Sequence, residues 1–264
     1  MLKDIPMEND QVVALRLDVA MRTDRGRVRQ NNQDAIAGDP RTGLLLLADG
    51  MGGANAGEVA SGMAVDLLMN QLVATRPPDA EPLERETLLN TLQDANHAIF
   101  DLAQNVPEYH GMGTTLVLAL VQGQELLYAH VGDSRLYRLH QGHLEQLTQD
   151  HTLLQELLQL GEFASMEEAL EAGVPKNILS RAFGVEAEVL VDQGEIGLSA
   201  GDILLLCSDG LTNMLADGEI SVILQAEEGD LMARVDRLIE QANERGGEDN
   251  ISVILVKVLC EDER

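Results

Sequence analysis

Lysine is almost missing from this chain. Of its 264 residues only Lys3, Lys176 and Lys257 are lysines, and 18 basic residues stand against 45 acidic ones, for a net charge of −27. A surface this acidic repels nucleic-acid phosphates and anionic lipid headgroups at long range, which argues against nucleic acid and membrane as partners and leaves a basic protein surface as the complementary one. Cysteine is scarce too. Cys207 and Cys260 match neither the disulfide frameworks of small secreted domains nor the paired spacing of a zinc site. Cys207, inside ILLLCSDG, reads as a small buried hydrophobe. No apolar run reaches the roughly 18 residues of a membrane span, and no basic stretch leads into an apolar segment as in a signal peptide. A cytoplasmic protein is expected.

With 45% of its residues hydrophobic, a chain of this length can bury a large core as one domain. That domain is expected over 11–260, behind an N-terminal tail of 1–10. Gln11 to Ala20 and Leu44 to Ala48 read as strands flanking a polar loop from Asp24 to Asp34. A helix follows from about Glu58 to Thr75, stopped by Pro77 and Pro78, and Leu88, Leu92, Ala95, Ile99 and Leu102 mark one face of a second helix. Thr114 to Val121 and Glu125 to Val131, joined by a short glycine-containing loop, read as a hairpin. Leu136 to Leu139 and Leu144 to Leu147 extend it into a meander. A polar, helix-prone excursion covers Asp150 to Lys176, followed by strands near Val189 to Gly194 and Ile203 to Cys207. An amphipathic helix through Leu231, Val235, Leu238, Ile239 and Ala242 leads to a last strand, Ile251 to Val258. No repeat of fixed period is visible. Helices packed outside antiparallel sheets are the layers this order implies.

Four aspartates punctuate the apolar runs. Asp49, Asp133 and Asp209 come at or just past the ends of LLLLADG, LLYAHVGDS and ILLLCSDG, and Asp249 comes just before the strand in GGEDNISVILVKV. If these strands are neighbours, their ends gather four carboxylates at one rim, where hard cations find oxygen ligands. The glycines of ADGMGG let the backbone approach a ligand and leave the Gly50 carbonyl free to point inward. An aspartate-glycine pair alone is only a turn; four such motifs together carry the signal. RQNNQDA adds Asp34, five positions after Arg29, whose guanidinium can grip two phosphate oxygens. Arg22, Arg25, Arg27 and Arg29 crowd one stretch, so a surface cation is an equal reading of Arg29 taken alone.

At this point RQNNQD, ADGMGG, GMGTT, VGDSR, LTQDHT, NILSRAFG, CSDGL and EDNIS, in this order from about Asp18 to Val258, resemble the bacterial subgroup of the metal-dependent serine/threonine protein phosphatases of the PPM, or 2C, type. The resemblance implies an α+β fold, a four-layer α-β-β-α sandwich whose two central antiparallel sheets are flanked by helices. It further implies that Asp49 bridges two Mn²⁺ or Mg²⁺ ions. Asp209 and Asp249 would complete the first ion's ligands, the Gly50 carbonyl would serve the second, and Asp34 would act on the second directly or through water. Asp133 with Asp209 would hold a third, weaker ion, and Arg29 would clamp the substrate phosphate; Arg29, Asp49 and Asp209 would be the catalytic residues. Two divalent ions about 3.5–4 Å apart lower the pKa of a shared water and offset charge growing on phosphorus. The expected reaction is therefore attack by a metal-bridging hydroxide on phosphoserine or phosphothreonine, with no phosphoenzyme. Phosphorylated proteins are the implied substrates and a Hanks-type kinase the implied antagonist. The alternatives are a catalytically silent phosphoprotein-binding regulator and a phosphomonoesterase for small molecules.

The chain departs from the family pattern at two points. Gln33 stands where many members carry an acidic residue. Met51 stands where eukaryotic members carry the histidine thought to protonate the leaving alcohol, so the proton donor is unassigned. His151, in QDHT, reads more readily as a structural or loop-orienting histidine than as that donor. The stretch 162–183 matches the family's flap, which borders the active site.

Overall fold

The computed structural model describes residues 15–53, 56–74, 82–226 and 228–261. The expected tail, and residues 11–14 of the first expected strand, lie outside them. Two antiparallel sheets form the centre. In the first, β1 (Leu15–Asp24), β11 (Ile251–Cys260), β10 (Ile203–Cys207), β7 (Arg135–His140) and β8 (His143–Gln146) lie side by side in that order. In the second the order is β2 (Asp34–Asp39), β3 (Leu44–Met51), β5 (Leu116–Gln122), β6 (Glu125–Val131) and β9 (Asp192–Gly197), with β4 (Gly113–Thr114) pairing the end of β3.

Successive side chains of a strand point to opposite faces, and here both faces are covered. Leu45 and Leu47 of β3 meet Leu204 and Leu206 of β10 and Ile254 and Val256 of β11 between the sheets. Leu44, Leu46 and Ala48 face outward, under α1 (Ala56–Met69) and α2 (Arg85–Asn105), against Ala60, Leu68, Leu92 and Ile99. On the other side Ile203, Leu205 and Cys207 lie under α5 (Asp209–Thr212), α6 (Asp217–Leu224) and α7 (Leu231–Glu244), against Leu211, Ile220, Val235 and Leu238. Burial on both faces is why these strands are continuously apolar. Each leucine withdrawn from water contributes about 1.5–3 kcal/mol, so the three interlayer cores are the main support of the α-β-β-α stack. Burial also pushes the Cys207 thiol up to about 12, which leaves it a packing group without nucleophilic character.

Several elements differ from the sequence expectation. The first strand runs four residues further, to Asp24, and β2 was not anticipated at all. The expected meander is split: β5 and β6 belong to one sheet, β7 and β8 to the other. The chain changes sheets in the short turn Gly132 to Ser134, where Gly132 takes a φ of 102°. A Cβ there would come within 2.6 Å of the Thr115 side chain, so only glycine fits. The first helix proper ends at Met69 and continues as one wider turn, Asn70–Ala74. The polar excursion holds α3 (Leu153–Gln159) and α4 (Met166–Glu171), started by the Thr152 and Ser165 side chains, which accept from the amides of Gln155 and Glu168. No helix among the described residues is long and apolar enough to cross a membrane.

Candidate active site

Antiparallel pairing brings the aspartates together. The start of β2 lies beside the end of β3, with Asp34 directly opposite Asp49. The end of β10 lies beside the start of β11, with Cys207 opposite Val253, so Asp209 follows one strand where Asp249 precedes the other. Asp133 sits in the turn that crosses between sheets. Asp49, Gly50, Asp133, Asp209 and Asp249 all line one cavity of about 640 Å³, together with Arg29, Gln33 and Met51. Asp34, a candidate ligand, is not among the residues that line it. Asp133 and Asp209 also line a smaller adjoining cavity.

Each carboxylate is held by specific bonds. Asp34 Oδ2 accepts from the hydroxyls of Ser208 at 2.9 Å and Ser252 at 2.6 Å, which ties the edge of one sheet to the other. Its Oδ1 is sealed from solvent and meets no donor group among the described residues. Asp209 shows the same asymmetry: Oδ2 accepts from Asn213 Nδ2 at 3.0 Å, whereas Oδ1 is buried and unpaired. Asp49 has its amide on Thr115 Oγ1 at 3.0 Å, and its carbonyl accepts from the Thr115 amide at 2.8 Å. Asp249 accepts from the Asn250 amide at 2.8 Å and from Arg29 Nη2 at 2.6 Å. Arg29 is about half exposed at the mouth of the cavity.

Gly50 is required by close approach. A Cβ at Gly50 would come within 2.1 Å of the Gly57 carbonyl and 2.6 Å of the Gln33 carbonyl. The start of α1 therefore packs directly on the end of β3, and the Gly50 amide donates to the Gln33 carbonyl at 2.9 Å. Sequence reasoning missed Asn250, the hub of this corner. Its Nδ2 donates to the carbonyls of Arg25 and Asn31, both at 2.9 Å, and its Oδ1 accepts from the Gln33 amide at 2.8 Å. Ser208, Ser252 and Asn213 were missed as well; their proximity to Asp34 and Asp209 in space is their only signal.

The carboxyls raise one another's pKa. Burial, and then the charge of Asp209, lift Asp34 to about 6 against the opposing hydrogen bonds from the two serines. Burial, and then Asp209 and Asp150, lift Asp133 to about 7. Asp49 is raised well above the ordinary carboxylate range, by burial first and then by Asp34, Asp209, Asp133 and Asp249. Asp209 is raised by burial and by Asp249. So many acids cannot all ionise in a shared, partly dehydrated space without a compensating positive charge. The donor set is entirely oxygen, two of its atoms are buried without partners, and the backbone at Gly50 is stripped of side chain. That combination fits Mg²⁺ or Mn²⁺ and not a thiophilic ion.

Among the described residues no histidine lines the cavity. Met51 does, without a proton to give, and His151 is buried outside the cavity lining. Asn177, Ser180, Arg181 and Ala182 bring the end of the 162–183 stretch to the cavity wall.

Comparison with known proteins places this arrangement. Residues 23–256 match the family model described as protein phosphatase 2C. The serine/threonine phosphatase stp of Listeria monocytogenes serovar 1/2a is 45% identical over 240 residues, covering 89% of this chain and 94% of that protein. The solved serine/threonine phosphatase of S. agalactiae superimposes with a TM-score of 0.83 at 39% identity, over 91% of this chain and 99% of that one. The catalytic domain of the serine/threonine protein phosphatase PstP, solved in complex with two manganese ions, gives a TM-score of 0.79 at 37% identity, over 93% and 99% of the two chains. The chain belongs to the protein phosphatase 2C family of metal-dependent serine/threonine phosphatases.

Proposed function

We propose that this chain hydrolyses phosphoserine and phosphothreonine in proteins, using a single catalytic domain over 11–260 with 162–183 as its flap. The observation that carries the reading is the convergence of Asp34, Asp49, Asp209 and Asp249 from four strand ends, with Asp34 Oδ1 and Asp209 Oδ1 buried and meeting no donor group among the described residues. Asp49 would serve two divalent cations, Asp209 and Asp249 would complete the ligands of one, and the Gly50 carbonyl and Asp34 would serve the other. Asp133 and Asp209 are assigned to a third, weaker ion. When bound, these cations activate a water and offset the charge that develops on phosphorus.

The remaining work falls to the chain's own groups. Asn213 holds Asp209 Oδ2, so Oδ1 is the oxygen left to face a cation. Ser208 and Ser252 do the same for Asp34. Arg29, paired to Asp249 at 2.6 Å, would bind a substrate phosphate through the same fork, because a guanidinium accommodates either oxyanion. The cavity contains no cysteine, and water is the nucleophile of the proposed reaction, so no phosphoenzyme forms. A Hanks-type kinase as antagonist and a cytoplasmic setting belong to the same reading.

Turnover of a phosphothreonine peptide and of p-nitrophenyl phosphate, each with and without Mn²⁺, tests it. Mn²⁺-dependent hydrolysis with the peptide preferred is the expected result. Hydrolysis of the small ester alone would move the protein to small-molecule phosphomonoesters. Binding of the peptide with no hydrolysis would make it a phosphoprotein-binding regulator.

A further inference from the structure

His151 does not line the cavity, yet it is buried and every polar atom it carries is engaged. Its amide donates to the Gly132 carbonyl at 2.9 Å, and its carbonyl accepts from the Ser180 amide at 3.0 Å. Ring Nδ1 lies 3.1 Å from the Gly132 amide nitrogen, and ring Nε2 lies 3.2 Å from Asp192 Oδ2. These two contacts fix the proton. An amide can only donate, so Nδ1 must present its lone pair; an ionised carboxylate can only accept, so Nε2 carries the hydrogen. Arg181 Nη1 stands 3.3 Å from Nε2 because both donors converge on one carboxylate, with Arg181 reaching Asp192 Oδ1 at 2.8 Å. Behind the ring, His130 stacks at 4.6 Å with a 22° tilt, and its Nε2 lies 2.8 Å from the Gln149 carbonyl. Burial and then His130 lower the pKa of His151, in line with the neutral ring that the Gly132 amide at Nδ1 requires.

The bonded amide belongs to the residue before Asp133. Gly132 opens the turn in which the chain changes sheets, and Ser134, on the far side of Asp133, has its Oγ 2.7 Å from Thr115 Oγ1. Asp133 is thus suspended between two anchors, His151 before it and Thr115 after it. We propose that His151, its tautomer set by Asp192, is a positioning residue for Asp133, fixing the turn that aims this carboxylate at the weaker cation site. The inference rests on the reading of Asp133 and Asp209 as ligands of a third ion. His130, His151 and Asp192 do offer three ligand atoms within 4.8 Å of one another, but His151 Nε2 could coordinate only by losing its proton while Nδ1 still accepts an amide hydrogen. Arg181 also occupies the same carboxylate. The trio is therefore a support and not a fourth ion site.

Nitrogen-15 NMR of the wild-type imidazoles reads the tautomer directly: His151 Nδ1 should be unprotonated and Nε2 protonated. Mn²⁺ titration calorimetry on the full chain reads the consequence. His151→Leu removes the acceptor and should weaken the weakest Mn²⁺ site by roughly tenfold while leaving the tighter sites within about twofold, the size expected for a residue that orients a ligand. His151→Asn places an acceptor oxygen where Nδ1 stood and should restore binding to within about threefold of wild type on the same scale. Asp133→Asn should abolish the weak site, and adding His151→Leu to it should do nothing more. A protonated Nδ1, a wild-type isotherm for His151→Leu, or equal damage from Asn and Leu would overturn the positioning role. If Asp133→Asn weakens the site and His151→Leu does not, only the role of His151 falls; if Asp133→Asn leaves the isotherm unchanged, the ligand role of Asp133 falls and the positioning role with it. Should His151→Leu fail to fold, the tautomer and the Asn variant still decide.

Discussion

Asp34 and Asp49 stand directly opposite each other on neighbouring antiparallel strands. Like charges in that position destabilise a sheet, and among the described residues no basic side chain is bonded to either. Their juxtaposition makes sense as a site whose missing positive charge comes from bound cations.

Replacing Asp49 by asparagine removes one charge from the cluster and one anionic ligand. Mn²⁺-dependent kcat should fall by at least about a hundredfold, since a cation of this kind contributes several kcal/mol at the transition state. Asp209→Asn should behave alike. The metal-free thermal midpoint of Asp49→Asn should rise, by about 2–4 °C for each kcal/mol of repulsion relieved in a domain of this size. Function and metal-free stability are thus expected to move in opposite directions, as at other strained sites. Retained activity in both variants would refute the ligand assignment.

The pH dependence of the metal-free protein should run against the usual direction for ion-paired carboxylates. Asp34 is raised to about 6 and Asp133 to about 7 from 3.8. The folded state therefore keeps protons that the unfolded chain has already released between about pH 4 and 7. With more protons bound to the folded than to the unfolded state, stability falls as pH rises through that window, and below it these groups contribute nothing. Mn²⁺ displaces the same protons, so its stabilisation should grow from pH 5 to pH 8, with proton release visible as a buffer-dependent binding enthalpy. Thermal melts at both pH values check this; Asp133→Asn should flatten the metal-free slope, and an unflattened slope would remove Asp133 from the effect.

Arg29→Ala should lower kcat/KM for a phosphopeptide by roughly 10- to 100-fold, the range for losing a charge-assisted contact. Arg29→Lys should recover only part of it, because an ammonium lacks the planar fork. Steady-state kinetics at saturating Mn²⁺ separate this from any change at Asp249, and an unchanged kcat/KM would take Arg29 out of the site.

Asn250→Ala leaves the Arg25 and Asn31 carbonyls and the Gln33 amide without their shared partner. A loss of about 1–3 kcal/mol is expected for stranded buried groups, together with reduced turnover, since the loop from Arg25 to Gln33 carries Arg29. Denaturant melts and kinetics on the same sample should show both losses; a melt within about 0.5 kcal/mol of wild type would place the loop's support elsewhere.

The legible part of the site is the part that interrupts a pattern. Asp49, Asp133, Asp209 and Asp249 could be found because each breaks or borders an apolar run, and those runs are apolar because both faces of their strands are covered. Asp34 was singled out, but its strand was not: DAIAGD is short, small-residued and only half-buried over most of its length, so it has neither an apolar run nor a clean alternation. Strand partnership was less legible still. Gly132 to Ser134 looks like a hairpin turn locally, yet the strands on either side of it belong to different sheets. Asn250, Ser208, Ser252 and Asn213 are uncharged and act through buried hydrogen bonds made across the fold, which no local pattern encodes. His151 was read as a structural or loop-orienting residue, and its bond to the Gly132 amide, 19 positions away, is not encoded locally.

The most direct measurement is anomalous diffraction at the manganese edge from crystals soaked in Mn²⁺. At least two peaks are predicted within coordination distance of carboxylate oxygens of Asp49, with Asp209 and Asp249 on one and the Gly50 carbonyl near the other. Peaks elsewhere on this acidic surface, or none between the two sheets' ends, would contradict the account.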